Sequence, residues 1–271
     1  MSRRARLDAE LVRRGLAKSR GHASELVEAG RVLVRGTVAS KPATAVDLDT
    51  PVVVKEDVDD PGWASRGAHK LVGALAEFGP LGLVVAGRRC LDAGASTGGF
   101  TDVLLRNGAR QVVAADVGRG LLEWRLRTDE RVVVKDRTNV RHLTPEQIDG
   151  LVDLVVSDLS FISLGLVLPA LVSCVVEDGD LVLMVKPQFE VGKQRVGSGG
   201  VVRDPEYRVA AVVDVIAEAA ELGLRAHGVV ASPLPGPSGN VEYFVWFRRG
   251  AALPVEQTAE VVRSAVAKGP Q

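Results

Sequence analysis

The sequence predicts an α/β protein: a doubly wound, mostly parallel seven-stranded sheet, preceded by a small α+β domain of basic character. Three observations predict it. Beyond residue 67, short apolar runs alternate with segments of helical period, the order that builds a parallel sheet covered on both faces. A glycine-rich turn, Asp92-Ala93-Gly94-Ala95-Ser96-Thr97-Gly98-Gly99, joins one such run to the next helix. The formal net charge of zero is also unevenly spread. Met1 to Lys41 holds ten Lys/Arg and four Asp/Glu, a net of +6, so the remainder carries −6. A basic head on an acidic body points to a polyanionic partner for the head.

At 271 residues the chain can hold one large domain and a small satellite, expected at 67–271 and 1–60 with 61–66 as a linker. In the head, Leu7, Leu11, Val12 and Leu16 recur at helical spacing, with Gly15 near the end. Ser19 is placed to cap a second helix carrying Ala23, Leu26 and Val27, which Gly30 stops. Val32, Val34 and Val38 alternate around the turn residue Gly36, and Pro51 to Val54 forms a further short strand. Asp57 to Gly62 is acidic, with Pro and Gly, and marks the linker. In the body, strands are expected at Arg89–Ala93, Gln111–Asp116, Val132–Lys135, Leu151–Ser157, Asp180–Val185, Ala226–Ala231 and Val241–Phe247. Helices are expected near Ala68–Phe78, Gly99–Asn107, Leu121–Arg127, Leu164–Val175, Pro205–Leu222 and Val255–Ala267.

Composition excludes several classes. Cys90 and Cys174 have neither disulfide nor metal spacing and sit in apolar runs, so they read as core thiols of a cytoplasmic protein with no metal site. The start is basic but lacks the apolar stretch of a signal peptide. Leu159–Val176 is uncharged and close to the minimum of about 18 residues for a membrane helix. It carries Gly165, Pro169 and three serines, so a buried loop plus helix is expected and no stable membrane association. No protein partner is implied.

The glycine-rich turn carries the first chemistry. Gly94 and Gly98 let the backbone pass close to a ligand in dihedrals that other residues avoid, and the helix opening near Gly99 has unpaired N–H groups. In a dinucleotide enzyme such a turn holds a pyrophosphate. Here it begins with Asp92, which would repel a pyrophosphate but suits the amino group of a methionine moiety. Asp116 ends the second strand 24 residues later, where a carboxylate suits the ribose hydroxyls of an adenosine. Asp136, at the tip of the third strand, can accept from the adenine amino group. The pattern favours S-adenosylmethionine over NAD. The expected cofactor set is Asp92, Gly94, Ser96, Thr97, Gly98, Gly99, Phe100, Asp116, Val117, Asp136 and Asp158.

Two resemblances then join these readings. Arg6-Leu7-Asp8, Gly15, Ser19-Arg20, Ala23, Leu26, Gly30, Val32 and Val34 resemble the S-four-type RNA-binding module. The strings Ser65-Arg66-Gly67-Ala68-His69-Lys70, Ser157-Asp158-Leu159-Ser160-Phe161, Lys186-Pro187-Gln188-Phe189-Glu190 and Gly236-Pro237-Ser238-Gly239-Asn240-Val241-Glu242 resemble the TlyA family. That family comprises bacterial ribosomal-RNA cytidine 2′-O-methyltransferases, some of them called haemolysins. The resemblance covers essentially the whole chain. It implies a Rossmann-like class I methyltransferase domain behind an RNA-binding head, S-adenosylmethionine as cofactor, and ribosomal RNA within ribosomal subunits as partner.

It also implies a catalytic tetrad, Lys70, Asp158, Lys186 and Glu242. Methyl transfer from a sulfonium is an in-line displacement with an activated donor, so the difficulty lies in a ribose hydroxyl that must lose its proton. Lys186 is expected to take that proton if its pKa falls from about 10.4 toward neutrality, or to stabilise the developing alkoxide if it stays charged. Burial and Lys70 push the pKa down, while Asp158 and Glu242 oppose this. Lys186 and Asp158 each end an apolar strand, where an unpaired charge is expensive. Arg3, Arg4, Arg6, Arg13, Arg14, Lys18, Arg20 and Arg31 are candidate phosphate contacts. Phe161 and Phe189 can stack on a splayed cytosine, with core packing as the commoner role. Gly192 to Arg203 is expected as a substrate loop. Three rivals are weighed: a membrane-active haemolysin, an RNA-binding assembly factor without chemistry, and an NAD enzyme.

Overall fold

The computed structural model describes residues 4–17, 19–55, 61–236, 239–251 and 254–270, and the Lys193 backbone without its side chain. Arg3, Lys18, Pro237 and Ser238, named above, lie outside the described residues, as do residues 57–60 of the acidic stretch. The chain divides into two compact units, 1–62 and 63–271.

In the first unit, β1 (Arg4–Arg6) leads directly into α1 (Leu7–Arg13), followed by α2 (Arg20–Glu28). Ser19 caps α2 as its side chain accepts from the His22 N–H at 3.1 Å. β2 (Val32–Val34) pairs antiparallel with β3 (Thr37–Val38), and later with β5 (Val52–Val54). Between them β4 (Ala45–Asp47) pairs with β1. The two strands β1 and β4 were invisible to periodicity, being three residues each. Leu7, Leu11, Ala23, Leu26, Val27, Val32 and Val46 form the core of this unit.

The second unit begins earlier than the expected 67. Trp63 lies under the Arg106 guanidinium, 4.3 Å from ring centroid to Cζ, and the Ala64 N–H donates to Asp102 at 2.9 Å. Residues expected as free linker are therefore built into the body. There follow α3 (Ala68–Phe78), β6 (Arg89–Ala93), α4 (Gly99–Arg106), β7 (Gln111–Asp116), α5 (Trp124–Arg127), β8 (Val132–Asp136), β9 (Val152–Ser157), α6 (Leu168–Ser173), β10 (Val175–Val185), α7 (Pro187–Glu190), α8 (Pro205–Glu221), β11 (Leu224–Ala231), β12 (Tyr243–Arg249) and α9 (Val255–Lys268). The seven strands form one sheet in the order β11-β12-β10-β9-β6-β7-β8, with β12 alone antiparallel to its neighbours.

Alternation along the strands sorts the core into two faces. Leu91, Ala93, Val113, Val155, Leu183 and Val245 pack with α6, α8 and α9. Cys90, Val112, Ala114, Val156, Met184 and Trp246 pack with α3 and α4.

Two expected helices are shorter than the pattern suggests. Leu164–Val175 breaks into a 3-10 turn at Leu164–Leu166 and α6, because Pro169 has no N–H to continue a helix and so sits in the first turn of a new one. Val175 already belongs to β10, pairing with Val152 before an irregularity that ends at Asp180. The uncharged stretch is thus loop, turn, short helix and strand, and no described helix is long and apolar enough to cross a membrane. In Leu121–Arg127, Glu123 stays non-helical, its N–H given to the Thr97 carbonyl at 3.1 Å, so the helix starts at Trp124.

Candidate active site at the carboxyl edge of the sheet

Strand register brings the reactive side chains together. In the antiparallel pair, Val185 of β10 faces Tyr243 of β12, so Lys186, just after β10, and Glu242, just before β12, emerge side by side. Ser157 of β9 aligns with Leu183 and with Ala93 of β6, which sets Asp158 between Lys186 and the glycine-rich turn. Lys70, on the first turn of α3, reaches the same point from the face above. An antiparallel last strand is what allows a residue at its start to join residues at the ends of parallel strands.

The four side chains form one alternating charge cluster. Lys70 Nζ lies 2.6 Å from Glu242 Oε2 and 3.2 Å from Asp158 Oδ2. Lys186 Nζ lies 2.6 Å from Asp158 Oδ1, 3.9 Å from Glu242 Oε1, and donates to Ser160 Oγ at 2.9 Å. Lys70, Lys186 and Glu242 are buried, with 7%, 6% and 1% of their surface exposed. Burial pulls the Lys70 ammonium down, but the charges of Asp158 and Glu242 and their hydrogen bonds outweigh it and raise its pKa above the ordinary lysine value. Burial would raise Asp158, yet Lys70 and Lys186 hold it below the usual carboxylate range. Lys70 is therefore a fixed cation claimed by two carboxylates, and Lys186 is bound closely by one. Sequence reasoning assigned no role to Ser160. Its signal was its place two residues after Asp158, in the loop that has to turn back toward Lys186.

The glycine-rich turn splits the expected cofactor residues into two groups. Gly94, Ser96, Thr97, Asp116, Val117 and Asp136 lie at the open lip, buried in part or exposed. Gly94 has φ +89°, and a Cβ there would stand 2.9 Å from the Asp158 carbonyl oxygen, so a side chain has no room. Gly98, at φ +98°, is closed off by Leu122 and Leu126. Asp116 accepts from the Ser96 N–H at 2.8 Å and the Gly118 N–H at 2.7 Å, which fixes its carboxylate beside exposed Val117. Asp136 accepts from Arg127 at 3.0 Å, and that hydrogen bond holds its pKa down.

Asp92, Gly99 and Phe100 are buried beneath the turn. Asp92 is fully buried beneath the turn, where its Oδ2 accepts from Thr101 Oγ1 at 2.7 Å and its Oδ1 has no hydrogen-bond partner. Burial, aided by the charges of Asp158 and Asp116 and opposed by Thr101, pushes its pKa up to about 7. It ties strand to helix and does not open on the lip. Gly99 is buried so that the start of α3 can come close, since a Cβ would meet the Ala68 nitrogen at 2.9 Å. Phe100 is a core residue tilted on Phe244, with ring centroids 5.9 Å apart.

Phe161 was expected mainly as core and is the reverse: 91% exposed, in the left-handed region at φ +63°. Its ring leans on Phe189, with centroids 5.3 Å apart. Such a placement of a bulky aromatic is unfavourable in itself. The expected substrate loop is pinned at its base, where Asn240 accepts from the Val202 N–H at 2.9 Å and donates to the Gly200 carbonyl at 2.8 Å.

In the first unit, most of the candidate phosphate contacts are also structural ion pairs. Arg6 and Arg20 bind Asp8 at 2.9 and 3.0 Å, and Arg13 and Arg14 both bind buried Glu10 at 2.6 Å. Arg14 is only 20% exposed, and its guanidinium also donates to the carbonyls of Thr50 at 2.7 Å and Leu48 at 2.9 Å, which makes it a staple of this unit. Arg31 donates to the Lys55 carbonyl at 3.2 Å. Arg4 stays largely open, 3.5 Å from Asp47.

Comparison with known proteins places these features in context. The family model described as FtsJ-like methyltransferase matches residues 63–249, and the S4 domain model matches residues 5–52. The chain is 61% identical to the 16S/23S rRNA (cytidine-2′-O)-methyltransferase TlyA of Mycobacterium tuberculosis, with all of both chains covered. It is 36% identical to Hemolysin A of Brachyspira hyodysenteriae, over 89% of this chain and 99% of that one. A structure solved under the description of a hemolysin from Streptococcus thermophilus superposes with a TM-score of 0.77 at 36% identity, covering 99% of this chain and 98% of that one.

Proposed function

The chain belongs to the TlyA family of FtsJ-like methyltransferases, and on that premise we propose that it transfers a methyl group from S-adenosylmethionine to the 2′-hydroxyl of a cytidine in 16S and/or 23S ribosomal RNA. The observation that carries the reading is the buried Lys70–Asp158–Lys186–Glu242 cluster beside the glycine-rich turn. A chain that had lost its chemistry and kept RNA binding would gain nothing from holding Lys70, Lys186 and Glu242 out of water, where each charge is costly to desolvate.

The residues at the lip suit the cofactor. The side-chain-free passage at Gly94, the fixed carboxylate of Asp116 and the apolar face of Val117 fit a ribose diol, an adenine and a cationic tail. When bound, the cofactor supplies a methyl already activated on a sulfonium. Lys186 Nζ would accept the proton that the 2′-hydroxyl gives up on methylation. Lys70, with its raised pKa and two carboxylate partners, stays charged. Asp158 and Ser160 orient the Lys186 amine, and Glu242 holds Lys70. Phe161, with Phe189 behind it, offers an exposed ring on which the extruded cytosine stacks, the mode by which single-stranded bases are commonly held.

The head contributes affinity without reading sequence, through Arg4 and the solvent-facing sides of Arg6, Arg13 and Arg20. A small basic head reads shape better than base identity, which favours ribosomal subunits over free RNA as the substrate. The test is mass spectrometry of nucleosides from ribosomal subunits incubated with the protein and S-adenosylmethionine. The expected product is 2′-O-methylcytidine. No new methylated nucleoside, or a base-methylated one, would overturn the reading.

A further inference from the structure

Two loops meet at the reactive cluster. One follows β9 and carries Asp158, Ser160 and Phe161. The other follows β10 and carries Lys186 and Phe189. Three contacts join them near the chemistry: Asp158 to Lys186, Ser160 to Lys186, and the Phe161–Phe189 ring pair. A fourth lies at the far end, and the function described above does not use it. The Glu190 carboxylate, closing α7, accepts from Ser163 Oγ at 2.6 Å and from the Leu164 N–H at 3.0 Å.

We propose that Glu190 is a positioning residue for methyl transfer: its two hydrogen bonds clamp the loop bearing Ser160 and Phe161 onto the segment bearing Lys186 and Phe189. This rests on the methyltransferase reading above. The geometry shows why a clamp is needed. Phe161 is exposed and in the left-handed region, a conformation that persists only when surrounding contacts impose it. Its one ring partner, Phe189, sits on the same four-residue helix as Glu190. That helix starts at Pro187, directly after Lys186, and is too short to be rigid by itself. Ser163, held by Glu190, in turn caps the 3-10 turn that ends the loop, accepting from the Gly165 N–H at 3.3 Å. The carboxylate thus fixes the exit of one loop to the end of the other. Ser160 and Phe161 lie on the span between this anchor and Asp158. Burial raises the Glu190 pKa, the mark of a carboxylate kept from water for its two donors.

The experiment is a steady-state comparison of Glu190→Ala, Glu190→Gln and Ser163→Ala on ribosomal subunits, with cofactor affinity measured by calorimetry. Glu190→Ala is expected to lower kcat by about tenfold to a hundredfold, as small misplacements near a reacting group do, with cofactor Kd unchanged. Glu190→Gln can still accept from Leu164 and donate to Ser163, so it is expected to restore most of kcat. A double-mutant cycle with Phe161→Ala separates positioning from general stability. If Glu190 works through that loop, the two losses are less than multiplicative. Should Glu190→Ala fail to fold, Ser163→Ala takes its place in the cycle. Wild-type kcat in these variants, or fully multiplicative losses, would overturn the proposal while active wild-type protein leaves the methyltransferase reading standing. An inactive wild type would instead remove that reading.

Discussion

Phe161 shows most plainly that function is written into single residues here. The left-handed conformation costs a non-glycine residue about 1–2 kcal/mol, and the ring recovers little of this, being exposed. Phe161→Gly is therefore expected to keep stability within about 1 kcal/mol of wild type. It should lower methylation by about tenfold or more, since base stacking contributes about 1–3 kcal/mol. Chemical denaturation and initial rates, measured on one preparation, check both halves. Lys186 carries a different expectation. Lys186→Ala should lose about 10²–10⁴-fold in kcat while staying folded, as removal of a proton acceptor at a reacting group does. Asp92 has a sign of its own. Its pKa of about 7 in the folded protein lies above the ordinary aspartate value of 3.8, so the native state holds the proton that the unfolded chain releases. Its stabilising share is full below about pH 4 and is lost as pH rises through 7. Asp92→Asn removes that loss, and its denaturation midpoint should gain on wild type between about pH 4 and pH 7.

At the level of elements, the head is held together by acids that face inward. Asp8 sits at a pKa of about 2, lowered first by the Arg6 hydrogen bond against burial, then by Arg20. Glu10 also sits at about 2, lowered by Arg13 against burial, then by Arg14. Carboxylates lowered in this way stabilise the fold above their unfolded pKa, and the contribution disappears as pH falls from about 4.5 to 2. Unit 1 is expected to melt first on acidification, seen as loss of its amide signals by NMR. Arg14→Ala should destabilise that unit by about 1–3 kcal/mol, because it leaves buried Glu10 with Arg13 alone and uncaps two carbonyls. Arg4→Ala should leave its melting unchanged. The body has the same logic at its glycine-rich turn, where buried Asp92, Gly99 and Phe100 support the open lip.

For the whole molecule, the charge split is the governing feature. A net of +6 between Met1 and Lys41 faces an acidic remainder, so long-range attraction to RNA belongs to the head. Binding to ribosomal subunits should weaken linearly in log K against log salt. Each exposed arginine removed, Arg4 first, should lower that slope by about 1. Arg14→Ala should instead weaken binding through lost folding, and restoring the fold at lower temperature should recover the wild-type slope. The two variants, titrated side by side, distinguish a phosphate contact from a staple.

The order of strands and helices, the glycine-rich turn and the residue types at strand tips were legible in the sequence, because periodicity, turn chemistry and stranded charges are local properties. So was the membership of Lys70, Asp158, Lys186 and Glu242 in one set, through the motifs that carry them. Their distances were not. Only the antiparallel register of β12 on β10 sets Glu242 beside Lys186, and a residue 172 positions from Lys70 becomes its nearest partner. The direction of a side chain was equally hidden. Asp92 and Phe100 read as ligand contacts and are buried, while Phe161 read as core and stands in solvent. Sequence dictates which groups are available; which of them face water, a neighbour or a substrate is decided when long-range packing chooses the side on which each one is buried.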